Sequence, residues 1–179
     1  GFGPTWKCTF ANDICEKKAT AYRAFFGPSP ELKVKDVGQL TINNLSGVPD
    51  LVWASFPCQD LSLAGNGAGL AGKRSGTFKP FWRLIDGLVR EGRAPRLVVL
   101  ENVTGTLTSH SGADFRSIAR AFVESGYRLG ALVINAARFL PQSRPRLFIV
   151  GLYGPTTIPS KLTSRSEEHT SELQSLSHL

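Results

Sequence analysis

Residues 50–62 read DLVWASFPCQDLS. The first half is a continuous β-rich apolar run, which predicts a strand over 49–56 buried on both faces of a parallel sheet. Directly behind it stand Pro57, Cys58 and Gln59. A packed structural thiol belongs inside an apolar run. Cys58 lies just past the end of one, behind a residue whose ring fixes φ. The position suits a side chain presented at the rim of a sheet.

Working outward, WKCTFAND (6–13) is a short apolar run ending in an acid and predicts a strand. CEKKATAYRAFFG (15–27) places Ala19, Tyr22 and Phe26 at helical spacing, and Gly27-Pro28 ends the helix. TFKPFWRLIDGLVREG (77–92) predicts a helix with Pro80 in its first turn, where proline is tolerated. RLVVLEN (96–102) is the next buried strand, and SGADFRSIARAFVESG (111–126) a second amphipathic helix with Ser111 as its N-cap. YRLGALVINAARF (127–139) and RLFIVGLY (146–153) predict two strands joined around Pro141, paired antiparallel. Strands alternating with helices argue an α/β fold, a doubly wound and mostly parallel sheet. In such sheets ligands gather at the carboxyl ends of the strands. Asp13, Cys58 and Glu101 all fall at or just past such ends.

A chain of 179 residues accommodates one well-cored domain. It contains no apolar run approaching the roughly 20 residues of a membrane span, so no membrane association is expected. The three cysteines make no disulfide framework, and their odd number fits a reducing cytoplasm. Cys8 and Cys15 match no zinc-ligand spacing; core thiols, and no metal, are the expectation. His110 is the one histidine in the body of the chain. A net charge of +7 suits a polyanionic partner, because each Lys or Arg near a phosphate releases condensed counterions.

Gly67 to Gly72 fits G-x-G-x-x-G, and Gly67 to Lys73 nearly fits a P-loop. Both need a strand immediately upstream, yet about ten residues separate the loop from Phe56, and Arg74 stands where a P-loop has a hydroxyl for Mg²⁺. A glycine-rich lid over 65–76 is the better reading. At the far end, RSEEHTSELQS (165–175) matches one translation frame of a common sequencing-adapter oligonucleotide. Residues 165–179 are therefore expected to be read-through with no fold of their own. Removing them takes away one Arg and three Glu, which raises the net charge from +7 to +9.

Three short segments now resemble a known family, the DNA cytosine-5 methyltransferases. FPCQDLS (56–62) resembles its Pro-Cys nucleophile motif, LENV (100–103) its Glu-Asn-Val motif, and PQSRPRLFIVG (141–151) its Gln-x-Arg-x-Arg motif. Each is weak alone; their order and spacing on an alternating chain make the set specific. FANDIC and VKDVGQL add weaker matches in the cofactor half. The resemblance covers roughly residues 5–152. It implies a Rossmann-like fold that uses S-adenosylmethionine, with a partial catalytic domain over 1–154 and a linker or the start of a further region over 155–164. The family's glycine-rich first motif and target-recognition region have no counterpart here, so the fold is expected to be incomplete and the chain alone inactive.

The resemblance also implies roles. Cys58 is the nucleophile that adds to cytosine C6, Glu101 sits at N3, Arg146 binds the O2 region, and Arg144 helps fix the loop or the thiolate. Asn102 holds the local backbone. Asp13 accepts from the cofactor ribose with Ile14 against the adenine; Asp36 takes the adenine amino group and Val37 lines its pocket. Double-stranded DNA is the implied partner, its target base flipped out of the stack. A monomeric cytoplasmic enzyme with a cognate restriction endonuclease follows for a bacterial parent. The same chemistry on transfer RNA, or a non-catalytic DNA-binding relic of the fold, are the alternatives.

Overall fold

The computed structural model describes residues 5–56 and 77–155. Cys58, the glycine loop and everything after residue 155 lie outside the described residues. Among the described residues six strands and three α-helices follow in the order β1 (Ala11–Asp13), α1 (Glu16–Phe26), β2 (Leu32–Val34), β3 (Leu51–Ser55), α2 (Phe78–Arg90), β4 (Leu97–Asn102), α3 (Ala113–Glu124), β5 (Tyr127–Asn135) and β6 (Pro145–Tyr153). β1 and β2 pair in parallel as a two-stranded sheet. The other four lie in the order β3-β4-β6-β5, with β3 parallel to β4 and β6 antiparallel to both β4 and β5. The described sheets are thus mixed: parallel through the βαβ units and antiparallel where β5 returns as β6. None of the described helices is long and apolar enough to cross a membrane.

The core forms on one face of the larger sheet. Trp82 and Ile85 of α2 and Phe115, Ile118 and Phe122 of α3 pack on Val98 and Leu100 of β4 and Leu147 and Ile149 of β6. The polar atoms of its large aromatics are satisfied: Trp82 Nε1 donates to Ser125 Oγ at 3.1 Å, and the Tyr127 hydroxyl to the Pro95 carbonyl at 3.0 Å. Burial, with Tyr153 beside it, pushes the Tyr127 phenol well above its ordinary range and keeps it a neutral donor.

Gly151 lets β6 lie under α3. A Cβ there would stand 2.2 Å from the Phe122 ring, which is itself fully buried. Gly151→Ala is accordingly expected to destabilise the fold by about 1–3 kcal/mol, the usual cost of overpacking a filled core. The check is a lowered urea midpoint at unchanged slope; an unmoved midpoint means the ring has room to shift.

Several sequence expectations need correction. The strand expected over 6–13 is limited to Ala11–Asp13, because β2 offers only three partners, Leu32 to Val34. β2 itself is too short for any alternation to announce it. β3 is not buried on both faces. Trp53 is 48% exposed and Ser55 is exposed, since the described helices α2 and α3 both pack on the face of Val52, Ala54 and Phe56. On α1 only Ala19 is buried, whereas Phe26 is 62% exposed. Cys8 is exposed and Cys15 half-buried, so neither is a core thiol. Ser111 does not cap α3; Gly112 takes that position at φ +79°, which costs a glycine little.

Candidate active site

The carboxyl edge of β4 is where the Glu-Asn-Val and Gln-x-Arg-x-Arg segments meet. The antiparallel register pairs Glu101 with Phe148 and Asn102 with Leu147, so β6 begins at the edge where β4 ends. This topology puts Arg146 diagonally across from Glu101 on the sheet face away from α2 and α3. Arg146 Nε lies 3.0 Å from Glu101 Oε1, with both side chains 21% exposed. The Arg146 Nη1 also donates to the Pro145 carbonyl at 2.8 Å. Arg144, two residues earlier, is exposed; its backbone N–H donates to Asn135 Oδ1 at 2.9 Å, which anchors the turn between β5 and β6.

Asn102 points to the opposite, buried face. Its Nδ2 donates to the Phe56 carbonyl at 3.1 Å, and its Oδ1 accepts from the Val103 N–H at 2.8 Å. The side chain therefore ties the end of β4 to the end of β3, one residue before Pro57-Cys58. Cys58 itself lies outside the described residues. Asn102→Ala would leave the buried Phe56 carbonyl unpaired, a cost of about 1–3 kcal/mol. Chemical denaturation of the variant should show that loss; full stability would mean another donor or water reaches the carbonyl.

A cavity of about 450 Å³ lies beside this edge, between β1 and β3. β1 pairs only with β2, and β3 borders the larger sheet, so among the described residues the cavity separates two strand edges. All four residues expected to hold the cofactor line it: Asp13, Ile14, Asp36 and Val37. The volume falls within the roughly 300–1,000 Å³ of small-molecule sites. Asp13 Oδ1 accepts from the Cys15 N–H at 2.9 Å, and Oδ2 pairs with Lys18 at 3.1 Å. Asp36 caps the 3₁₀ turn Val37–Gln39 by accepting from the Gly38 N–H at 2.7 Å through Oδ1. Asp36 is thus a turn residue and a cavity residue at once. The Ile14 side chain is 66% exposed, free to cover a flat ligand.

The family model for C-5 cytosine-specific DNA methylases matches residues 2–178. The chain belongs to that family. Among relatives in the methylase family, the Type II methyltransferase M.BsuFI of Bacillus subtilis is 33% identical over 150 residues, which covers 82% of this chain and 34% of the relative. M.NgoFVII of Neisseria gonorrhoeae is 32% identical over 146 residues, covering 80% of this chain and 37% of the relative. The chain therefore spans about a third of the length of the curated relatives it matches. Among solved structures, Dnmt2 methyltransferase of S. pombe superposes with a TM-score of 0.66 at 18% identity, over 94% of this chain and 51% of that one. A Spodoptera frugiperda DNMT2 mutant gives 0.67 at 23% identity, over 90% and 46%. These likenesses establish the fold, the Rossmann-like methyltransferase fold that the family resemblance implied.

One cluster on the same edge was not foreseen. Between β4 and α3 the chain makes two 3₁₀ turns, Thr104–Leu107 and Ser109–Gly112. His110 and Ser111 are left-handed, at φ +48° and +54°, which costs roughly 1–2 kcal/mol per residue. Asp114, with its side chain 1% exposed, holds the turn: its Oδ2 accepts from Ser109 Oγ at 2.5 Å and faces His110 Nδ1 at 2.9 Å. Asp114 lies in the first turn of α3, where the helix dipole favours an anion. The signal was present in the sequence. Asp114, Ile118 and Phe122 share i, i+4 spacing, so a carboxylate sits on the apolar stripe of the helix.

Proposed function

We propose that the enzyme carrying this chain transfers a methyl group to C5 of a flipped-out cytosine in double-stranded DNA. The observation that carries the reading is the Glu101–Arg146 pair, set on the sheet edge where β3 runs on to Pro57-Cys58 and beside the cavity of Asp13 and Asp36. S-adenosylmethionine supplies an electrophilic methyl on a sulfonium. The lining residues fit it: one carboxylate at the end of β1 for the ribose, Ile14 for the adenine face, Val37 for the pocket wall, and Asp36 Oδ2 for the amino group while Oδ1 stays on Gly38. Lys18 has to swing away from Asp13, which its 72% exposure permits.

Cytosine C5 is a poor nucleophile. The Cys58 thiolate adds to C6, and the ring electrons move toward N3 and O2. Glu101 shares its proton at N3, and Arg146 faces O2, so the developing charge is neutralised. C5 is then enamine-like and takes the methyl. A base removes the C5 proton, the C5=C6 bond re-forms, and the thiolate leaves. Arg144, exposed on the same edge, supports the thiolate or the loop that bears it.

The test is transfer of labelled methyl to duplex DNA and, in parallel, to transfer RNA. Incorporation into transfer RNA alone moves the activity to the RNA alternative; incorporation into neither leaves the DNA-binding relic. Duplex containing 5-fluorocytosine adds a chemical check, since fluorine at C5 cannot leave as a proton does and the adduct should persist through denaturation. The chain by itself, which spans about a third of the relatives' length, should transfer little or no methyl. The Type II names of the relatives support a restriction endonuclease as the cellular partner of a monomeric cytoplasmic enzyme.

A further inference from the structure

We propose that the Ser109–Gly112 turn is a contact for the phosphate backbone of duplex DNA, with His110 Nε2 as the donor and Asp114 as the residue that positions it. The proposal rests on the nucleic-acid reading above and adds a site to it. Three observations meet here. The turn lies in the connection that leaves the carboxyl end of β4 and enters α3, one 3₁₀ turn beyond Asn102, so it stands on the same edge of the sheet as the Glu101–Arg146 pair. Asp114 is buried, and its Oδ2 faces His110 Nδ1 at 2.9 Å, a contact that fixes the orientation of the ring. Nδ1 is engaged by Asp114, which leaves Nε2 as the ring nitrogen available to a ligand, and the side chain is 34% exposed.

A phosphate oxygen only accepts. Its contact with the ring therefore needs a proton on Nε2, while Nδ1 is taken up by Asp114. The surrounding turn fits such a ligand. Arg116 Nη1 donates to the Ser111 carbonyl at 3.0 Å and lies against Gly112, which brings a second cation to the same turn. Ser111 and Thr108 are exposed hydroxyls of the kind that meet phosphates. The left-handed backbone at His110 and Ser111 is held in place by Asp114 and Arg116 before any ligand arrives, so binding need not order it.

Binding of the 179-residue chain to a fluorescent 30-base-pair duplex, followed across roughly 50–200 mM salt, tests this. One lost phosphate contact flattens the slope of log K against log salt by about 0.9. His110→Gln should show that change, and Asp114→Asn should weaken binding in the same direction. Arg90→Gln serves as the control: it removes one charge at the last turn of α2, which the parallel β3-α2-β4 connection puts at the opposite edge of the sheet. Equal effects of Arg90→Gln and His110→Gln would reduce the result to net charge and overturn the site. An unchanged slope in a folded His110→Gln variant overturns it as well, while salt-dependent binding by the parent leaves the wider reading intact. A parent chain that shows no salt-dependent binding removes both. A change seen with transfer RNA and not with duplex would assign the turn to RNA instead.

Discussion

Replacing Cys58 with alanine is expected to lower methyl transfer by the enzyme that carries this segment by about 10⁴-fold or more, the scale on which loss of a nucleophile acts. Nothing else in the proposed site can take its place. Without the S–C6 bond the cytosine ring keeps its aromatic electrons and C5 does not attack a methyl. Serine at the same position should rescue nothing, because its hydroxyl is far less ionised than a thiol of pKa near 8.5. The variant should still bind duplex DNA, since the backbone contact proposed above, at Ser109–Gly112, does not involve Cys58. Two readouts check this: incorporation of labelled methyl, and the denaturation-resistant complex with 5-fluorocytosine DNA. Persistence of that complex in the alanine variant would sink the assignment of Cys58.

Glu101→Gln is expected to reduce kcat by about 10²–10⁴-fold, the usual contribution of a positioned proton donor, with stability nearly unchanged. The two expectations separate because the same residue does two things of unequal size. As one half of a pair with Arg146, 3.0 Å away and with both side chains 21% exposed, it contributes about 1 kcal/mol or less to folding. As the group that shares a proton with cytosine N3, it answers for charge that develops only during reaction. Glutamine keeps the shape and a hydrogen bond to Arg146 and loses the proton. Arg146→Lys should not behave as a conservative change, since an ammonium has no planar fork with which to meet both Glu101 and a ring oxygen. Single-turnover rates and urea midpoints on the same preparations give both numbers. A Glu101→Gln variant at wild-type rate would remove the carboxylate from the chemistry.

The strands that carry the candidate site were legible in the sequence. The apolar runs at 50–56 and 96–102 fixed two strands, each ending in a residue of chemical interest, and the helical stripe at 77–92 joined them as a right-sized crossover. The pairing of β5 with β6 was readable from two long strands around Pro141. What escaped was whatever depends on a partner distant in sequence. β2 has three residues and exists because β1 lies beside it. Trp53 read as core because its neighbours are apolar, and the described residues leave it half open because α2 and α3 share the other face. Asp114 was not singled out in the sequence and is buried, since Ser109, His110 and the first turn of α3 together enclose its side chain.

The sequence by itself determined the family, through the resemblance of its short motifs, and, through local periodicity, every described strand and helix but β2 and the residues offered at the carboxyl ends. Only the tertiary structure decided who faces whom. The antiparallel register brings Arg146 to Glu101, the buried face turns Asn102 toward the Phe56 carbonyl, and the gap between β1 and β3 gathers Asp13, Ile14, Asp36 and Val37 around one cavity. The reason is physical: a strand's alternation tells which residues share a face, but register and packing, set by contacts across tens of residues, select which of them meet.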